Sequence, residues 1–122
     1  MKKVLIVDDS PTIRQQVGKA LHESGFEVVE AGDGVEGIER IDADQGIGMV
    51  ILDINMPRMS GLEMLEKIKQ EARTAALPVV MLTSEGQRSL IERAKQAGAK
   101  GWIVKPFKPE LLVVTVRKLM SA

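Results

Sequence analysis

The stretch "MVILDINMPRMSGLEML" (residues 49–65) decides how this chain is read. Met49, Val50, Ile51 and Leu52 carry no polar side chain, and the run stops at Asp53. A short apolar run without alternation reads as a strand buried on both faces, as in a parallel sheet. Such a strand delivers the residue at its carboxyl end to one edge of the sheet, so Asp53 becomes the first candidate functional group.

Outward from this run, four more apolar runs recur: "VLIV" (4–7), "FEVVEA" (26–31), "PVVML" (78–82) and "GWIVK" (101–105). Most are rich in Val and Ile and bounded by Gly, Pro, Asp or Ser, which again reads as strands. The run at 26–31 contains Glu27 and Glu30 and is expected near a sheet edge. Segments with helical period lie between. Ser10 is placed to cap a first helix with Pro11 as its first residue and Ile13, Val17, Ala20 and Leu21 on its inner face. Val35, Ile38 and Ile41 predict a second helix, weakened by Gly37. Leu62, Leu65, Ile68 and Ala72 predict a third, capped by Ser60. Leu90, Ile91, Ala94 and Ala97 predict a fourth, ended by Gly98. The fifth is expected from about Pro109 to Met120, with Leu112, Val116, Leu119 and Met120 inward. Strand followed by helix, repeated, calls for an α/β fold: one doubly wound five-stranded parallel sheet with five helices, joined by right-handed crossovers. A single domain over residues 1–122 is expected.

Composition narrows the function. There is no cysteine, so disulfides and thiol-based metal sites or nucleophiles are excluded. Lys plus Arg and Asp plus Glu are both 17, which gives no electrostatic reason to expect nucleic acid. No apolar run approaches the roughly 18 residues of a membrane span. His22, the sole histidine, is expected on the surface of the first helix, away from the acids.

Ligands of open parallel sheets bind beyond the carboxyl ends of the strands. That edge should collect Asp8 and Asp9 from the first strand, Asp53 from the third, Thr83 and Ser84 from the fourth and Lys105 from the fifth. A lone aspartate after a strand is often only a helix cap, and Asp33 in "GDG" reads as a turn residue. Caps do not explain three acids, a threonine and a lysine at one edge. Two like charges about 4 Å apart cost about 4 kcal/mol at an effective dielectric of about 20. Either one acid stays protonated or a cation joins them, and oxygen ligands favour a hard divalent ion such as Mg²⁺. A carboxylate nucleophile, a metal, a lysine and a hydroxyl are the parts phosphoryl transfer needs.

The segments "VLIVDDSPTIR", "VILDINMPRMSGLEML", "VVMLTSE" and "GAKGWIVKPF" resemble the receiver domain of two-component response regulators, in order and across nearly the whole chain. The stand-alone chemotaxis type is the nearest match. The resemblance implies a flavodoxin-like sheet of strand order 2-1-3-4-5. It implies that Asp53 accepts a phosphoryl group from a histidine kinase or phosphotransfer protein. Asp9, Asp53 and the Asn55 carbonyl would bind Mg²⁺ directly, and Asp8 through a water. Lys105 would pair with the acids and then with the phosphoryl group, and Thr83 would move to bind a phosphoryl oxygen. The Lys105–Pro106 bond is expected to be cis. Met56, Pro57 and Gly61 would shape the turn into the third helix.

Trp102 stands at the switch-aromatic position, where tyrosine or phenylalanine is more usual. It is read as the switch residue, against the alternative of a half-buried anchor that hardly moves. The responding surface would be the fourth helix, fifth strand and fifth helix, with Leu111 and Val114 as either a docking patch or isolated surface hydrophobes. Asn55 and Glu85 would tune dephosphorylation. The expected protein is a cytoplasmic monomer and not an enzyme beyond its own phosphorylation and dephosphorylation. Its output would be a protein target such as a flagellar motor switch; a phosphate sink or an intermediate relay protein is the alternative. A phosphatase with an aspartyl nucleophile wants an acid-x-acid spacing, whereas "VDDS" has adjacent acids. A flavin-binding electron carrier wants a hydroxyl- and glycine-rich loop where this chain has acids.

Overall fold

The run at 49–53 is the middle of the sheet. The computed structural model describes residues 3–56, 58–84 and 88–120. In chain order the elements are β1 (Lys3–Val7), α1 (Pro11–Glu23), β2 (Glu27–Ala31), α2 (Gly34–Ala43), β3 (Ile47–Asp53), α3 (Gly61–Gln70), β4 (Val79–Ser84), α4 (Arg88–Ala97), β5 (Gly101–Lys105) and α5 (Pro109–Met120). The strands form one sheet of order β2-β1-β3-β4-β5, every neighbouring pair parallel. The glutamate-bearing strand β2 is at an edge, as its composition predicts, and its Glu27 and Glu30 are exposed.

The unbroken apolar strands are explained by two cores, one on each face. Leu5 and Val7 of β1, Val50 and Leu52 of β3, and Val79 and Met81 of β4 pack with Leu62, Met64, Leu65 and Ile68 of α3 and Ala94 of α4. Their neighbours Val4, Ile6, Met49, Ile51, Val80 and Leu82 face Val17 and Leu21 of α1 and Leu112, Val113 and Val116 of α5. Val4–Val7, Met49–Asp53 and Val79–Thr83 of the three central strands are thus inside, and each fully buried aliphatic side chain contributes roughly 1.5–3 kcal/mol.

The predicted caps form. The Ser10 hydroxyl accepts from Ile13 N–H at 3.3 Å, and Pro11 begins α1. Ser60 and Glu63 make a reciprocal capping box at α3. Gly25 (φ 94°) and Gly98 (φ 106°) follow the ends of α1 and α4. Helix α3 departs from expectation at its end. It stops at Gln70, and Ala72 is exposed rather than on the inner face. The Thr74 hydroxyl donates to the Ile68 carbonyl at 2.6 Å, taking the carbonyl that a longer helix would have bonded to Ala72 N–H. Met64 holds the inner position instead. Its sulfur would lie 2.9 Å from a Cβ at residue 37, so Gly37, which weakens α2 locally, is what lets α2 approach α3. On α5, Leu112 and Val116 are buried as predicted, Leu119 and Met120 are half-buried, and Val113 joins them inside.

Candidate functional site

The carboxyl ends of β1, β3 and β5 bring four charged side chains together. Asp8 and Asp9 follow β1, Asp53 is the last residue of β3, and Lys105 is the last of β5. Oxygens of the three carboxylates lie within 4.8 Å of one another. Lys105 Nζ bridges two of them, donating to Asp8 Oδ2 at 3.0 Å and to Asp53 Oδ1 at 3.2 Å. Asp8 is 0% exposed and Asp53 is buried, whereas Asp9 is exposed. The Lys105–Pro106 bond is cis, as expected.

One ammonium does not balance this pocket. Burial, followed by the neighbouring Asp8, pushes the Asp53 carboxyl up to about 6; Lys105 opposes the shift and Asp9 adds to it. For Lys105, burial lowers the pKa, but its bonds and attraction to Asp8 and Asp53 outweigh that and leave it raised. The donor set is oxygen only, clustered, partly buried and short of positive charge. It fits a hard divalent cation of the magnesium type, with Asp8, Asp9 and Asp53 as the residues that could hold it. Asn55, two residues past Asp53, is exposed at the start of the loop that leads to α3.

Thr83 lies on β4 one residue beyond Leu82, which pairs with Asp53. Its side chain is 0% exposed, and its hydroxyl has no hydrogen-bond partner among the described residues. A buried hydroxyl without a partner costs about 1–3 kcal/mol. Thr83→Val, which keeps the shape, is therefore expected to raise the free energy of unfolding by about 1 kcal/mol in a urea titration. A lower midpoint would contradict the unpartnered state.

Gly61 proves to be a matter of space. A Cβ there would overlap the carbonyl oxygen of Asp53 and lie 2.8 Å from Ile54 Cα, so α3 begins against the backbone of the acid-bearing strand. Gly61 N–H also donates to the Ile54 carbonyl at 2.8 Å. Asp33 is more than a turn residue. Its carboxylate caps α2 by accepting from Glu36 N–H at 2.9 Å and pairs with Arg58 at 2.8 Å. The Glu36 N–H, and after it Arg58, hold its pKa below the ordinary value against the effect of burial. Arg58 carries a left-handed backbone (φ 65°). Nothing in its residue type marks it in the sequence, because its partner is 25 residues away.

Among the described residues, the other expected positions do not belong to the acid cluster. Trp102 pairs with Met81 across β4 and β5, is 40% exposed, and has Lys95 Nζ 4.8 Å from its ring centroid. Leu111 and Val114 on α5 are 55% and 61% exposed, and Val104 of β5 is also exposed. His22 is exposed on α1. Glu85 and Pro57 lie outside the described residues. Among the described residues no helix is long and apolar enough to cross a membrane.

Known proteins resemble the chain over most of its length. Residues 4–117 match the response regulator receiver domain. The chemotaxis protein CheY1 of Helicobacter pylori is 40% identical over 111 residues, which are 90% of each chain. A chemotaxis protein CheY homolog of Campylobacter jejuni is 38% identical over 90% of this chain and 85% of its own. The structure of chemotaxis response regulator CheY4 of Vibrio cholerae superposes with a TM-score of 0.90 at 39% identity, covering 98% of both chains. With a doubly wound sheet whose edge gathers three aspartates and a lysine, and with relatives of this similarity over nearly its whole length, the chain belongs to the response regulator receiver domain family and is a signalling module of two-component systems.

Proposed function

We propose that Asp53 is the phosphoacceptor of a chemotaxis-type response regulator acting in the cytoplasm, taking its phosphoryl group from a histidine kinase or a phosphotransfer protein. The observation that carries this reading is Lys105 bridging Asp8 and Asp53 at 3.0 and 3.2 Å at the carboxyl edge of the sheet. An Asp53 carboxylate oxygen attacks phosphorus, the phosphorus–nitrogen bond of phosphohistidine breaks, and the imidazole nitrogen leaves with the electron pair. Water later attacks phosphorus, releasing inorganic phosphate and restoring the carboxylate.

Asp9, Asp53 and the Asn55 carbonyl would hold Mg²⁺ directly and Asp8 through a water; the ion, when bound, neutralises charge on the phosphoryl oxygens. Asp8 suits the indirect role because it is buried and already accepts from Ser10 N–H and from Lys105. Lys105 then holds a phosphoryl oxygen, and the Thr83 hydroxyl finds a partner in another. Movement of Thr83 shifts the start of α4 and frees Trp102 to change its packing. The surface of α4, β5 and α5, where Leu111 and Val114 are exposed, binds the protein target. Asn55 and Glu85 set the rate of the hydrolytic step.

The test uses Trp102, the sole tryptophan of the chain. Mg²⁺ with beryllofluoride, a phosphoryl mimic, should shift its emission in a saturable manner. The shift should require both components and vanish in Thr83→Ala. If emission stays unchanged while the mimic binds by calorimetry, Trp102 is an anchor and the coupled switch is wrong. If Mg²⁺ itself does not bind, the phosphoacceptor reading fails.

A further inference from the structure

We infer that Arg14, on α1, is a positioning residue for the metal-binding corner, and that Glu30, on the edge strand β2, keeps the charge of Arg14 from competing with the metal. The inference rests on the reading of the acid edge as a magnesium site.

The carbonyl group of Asp8 belongs to the peptide that joins Asp8 to Asp9, and that peptide is planar. Fixing the carbonyl therefore fixes the direction in which the chain carries Asp9. Arg14 Nη1 donates to this carbonyl at 2.6 Å. On the other side, Asp8 N–H donates to the Ala31 carbonyl at 3.1 Å, and Asp8 Oδ1 accepts from Ser10 N–H at 2.9 Å. Asp8 is thus pinned through its N–H, its carboxylate and its carbonyl, and only the last of these pins uses a side chain from α1. Asp9, by contrast, is exposed. Its aim depends on the peptide before it.

Arginine is permanently charged, and this one sits one peptide from a pocket meant for a cation. Its Nε donates to Glu30 Oε1 at 3.0 Å. The guanidinium fork therefore uses one N–H as a strut to Asp8, just past the end of β1, and another as an ion pair to β2. Lysine keeps the charge but cannot span both. Groups that orient metal ligands without touching the metal affect affinity by about 10- to 100-fold when removed.

The two roles separate by salt dependence. Mg²⁺ affinity is measured by calorimetry on the intact protein at low and at high ionic strength, with melting followed by circular dichroism. Arg14→Met is expected to weaken Mg²⁺ binding about tenfold at high ionic strength, where the bared Glu30 carboxylate is screened. Arg14→Lys should melt like the unaltered protein yet bind Mg²⁺ as weakly as Arg14→Met at that ionic strength. Glu30→Gln should weaken binding about threefold at low ionic strength, a deficit that disappears at high ionic strength because salt screens the bared guanidinium. Unaltered affinity in Arg14→Lys overturns the strut. A Glu30→Gln deficit that is absent, or equal at both ionic strengths, overturns the charge compensation. Should Arg14→Met fail to fold, the lysine and Glu30 variants still decide. Absence of Mg²⁺ binding by the unaltered protein counts instead against the magnesium site itself.

Discussion

Asp53→Asn should reduce labelling by acetyl phosphate and Mg²⁺ by more than about a thousandfold, because removing a nucleophile leaves only binding and orientation to act. The substitution is isosteric and is expected to keep the fold, so intact-mass spectrometry should compare two folded proteins. It should also stabilise the fold when no metal is added. The Asp53 carboxyl has a folded pKa of about 6, above its ordinary value of 3.8, owing to burial and then Asp8. The unfolded chain therefore gives up this proton more readily than the folded one. As pH rises from the ordinary value through about 6, the group becomes increasingly destabilising, and the full effect is present at neutral pH. After screening by solvent the gain in Asp53→Asn is on the order of 1–2 kcal/mol at neutral pH. Added Mg²⁺ should narrow the gap, since it stabilises the protein that retains Asp53. Labelling of the asparagine variant at the same site and pace would remove residue 53 from the chemistry. A variant that melts lower than its parent without metal would mean that the acids are not in conflict.

The second large effect is structural. Gly61→Ala should cost about 3 kcal/mol or more in a urea unfolding titration, at the upper end for overpacking. The added methyl would meet two backbone groups, the Asp53 carbonyl and Ile54 Cα, neither of which can turn aside like a side chain. Either α3 moves away from the end of β3, losing the Gly61 N–H bond to Ile54, or β3 shifts and carries Asp53 with it. The first outcome loosens Leu62 and Leu65 in the core. The second displaces Asp53, the proposed phosphoacceptor, so surviving folded protein should also be phosphorylated more slowly. An alanine variant with the parent's urea midpoint would show that this close approach is not required.

Both effects arise where a legible feature of the sequence meets one that is not. The alternation of strands and helices, the two-sided burial of 4–7, 49–52 and 79–82, and the gathering of Asp8, Asp9, Asp53 and Lys105 at one edge were all determined by local pattern. Apolar period fixes which element forms and which residues it buries, and the parallel arrangement sends the strand ends to a common edge. Gly61 could be placed at the start of a helix by its neighbour Ser60, but not against the Asp53 carbonyl. That contact depends on how sharply the chain turns after β3.

Only the tertiary structure decided the rest. Helix α3 ends before Ala72 because a threonine hydroxyl returns to the Ile68 carbonyl. Asp33 is tied to Arg58, and Asp8 to Arg14, across loops whose spacing carries no periodic signal. The Thr83 hydroxyl is buried with no partner among the described residues, and Trp102 lies half outside beneath Lys95. Each of these depends on where two separated segments meet once the core has closed. Hydrophobic period is a property of neighbours along the chain, whereas a hydrogen bond between side chains of different elements is set by three-dimensional distance, to which residue spacing is blind.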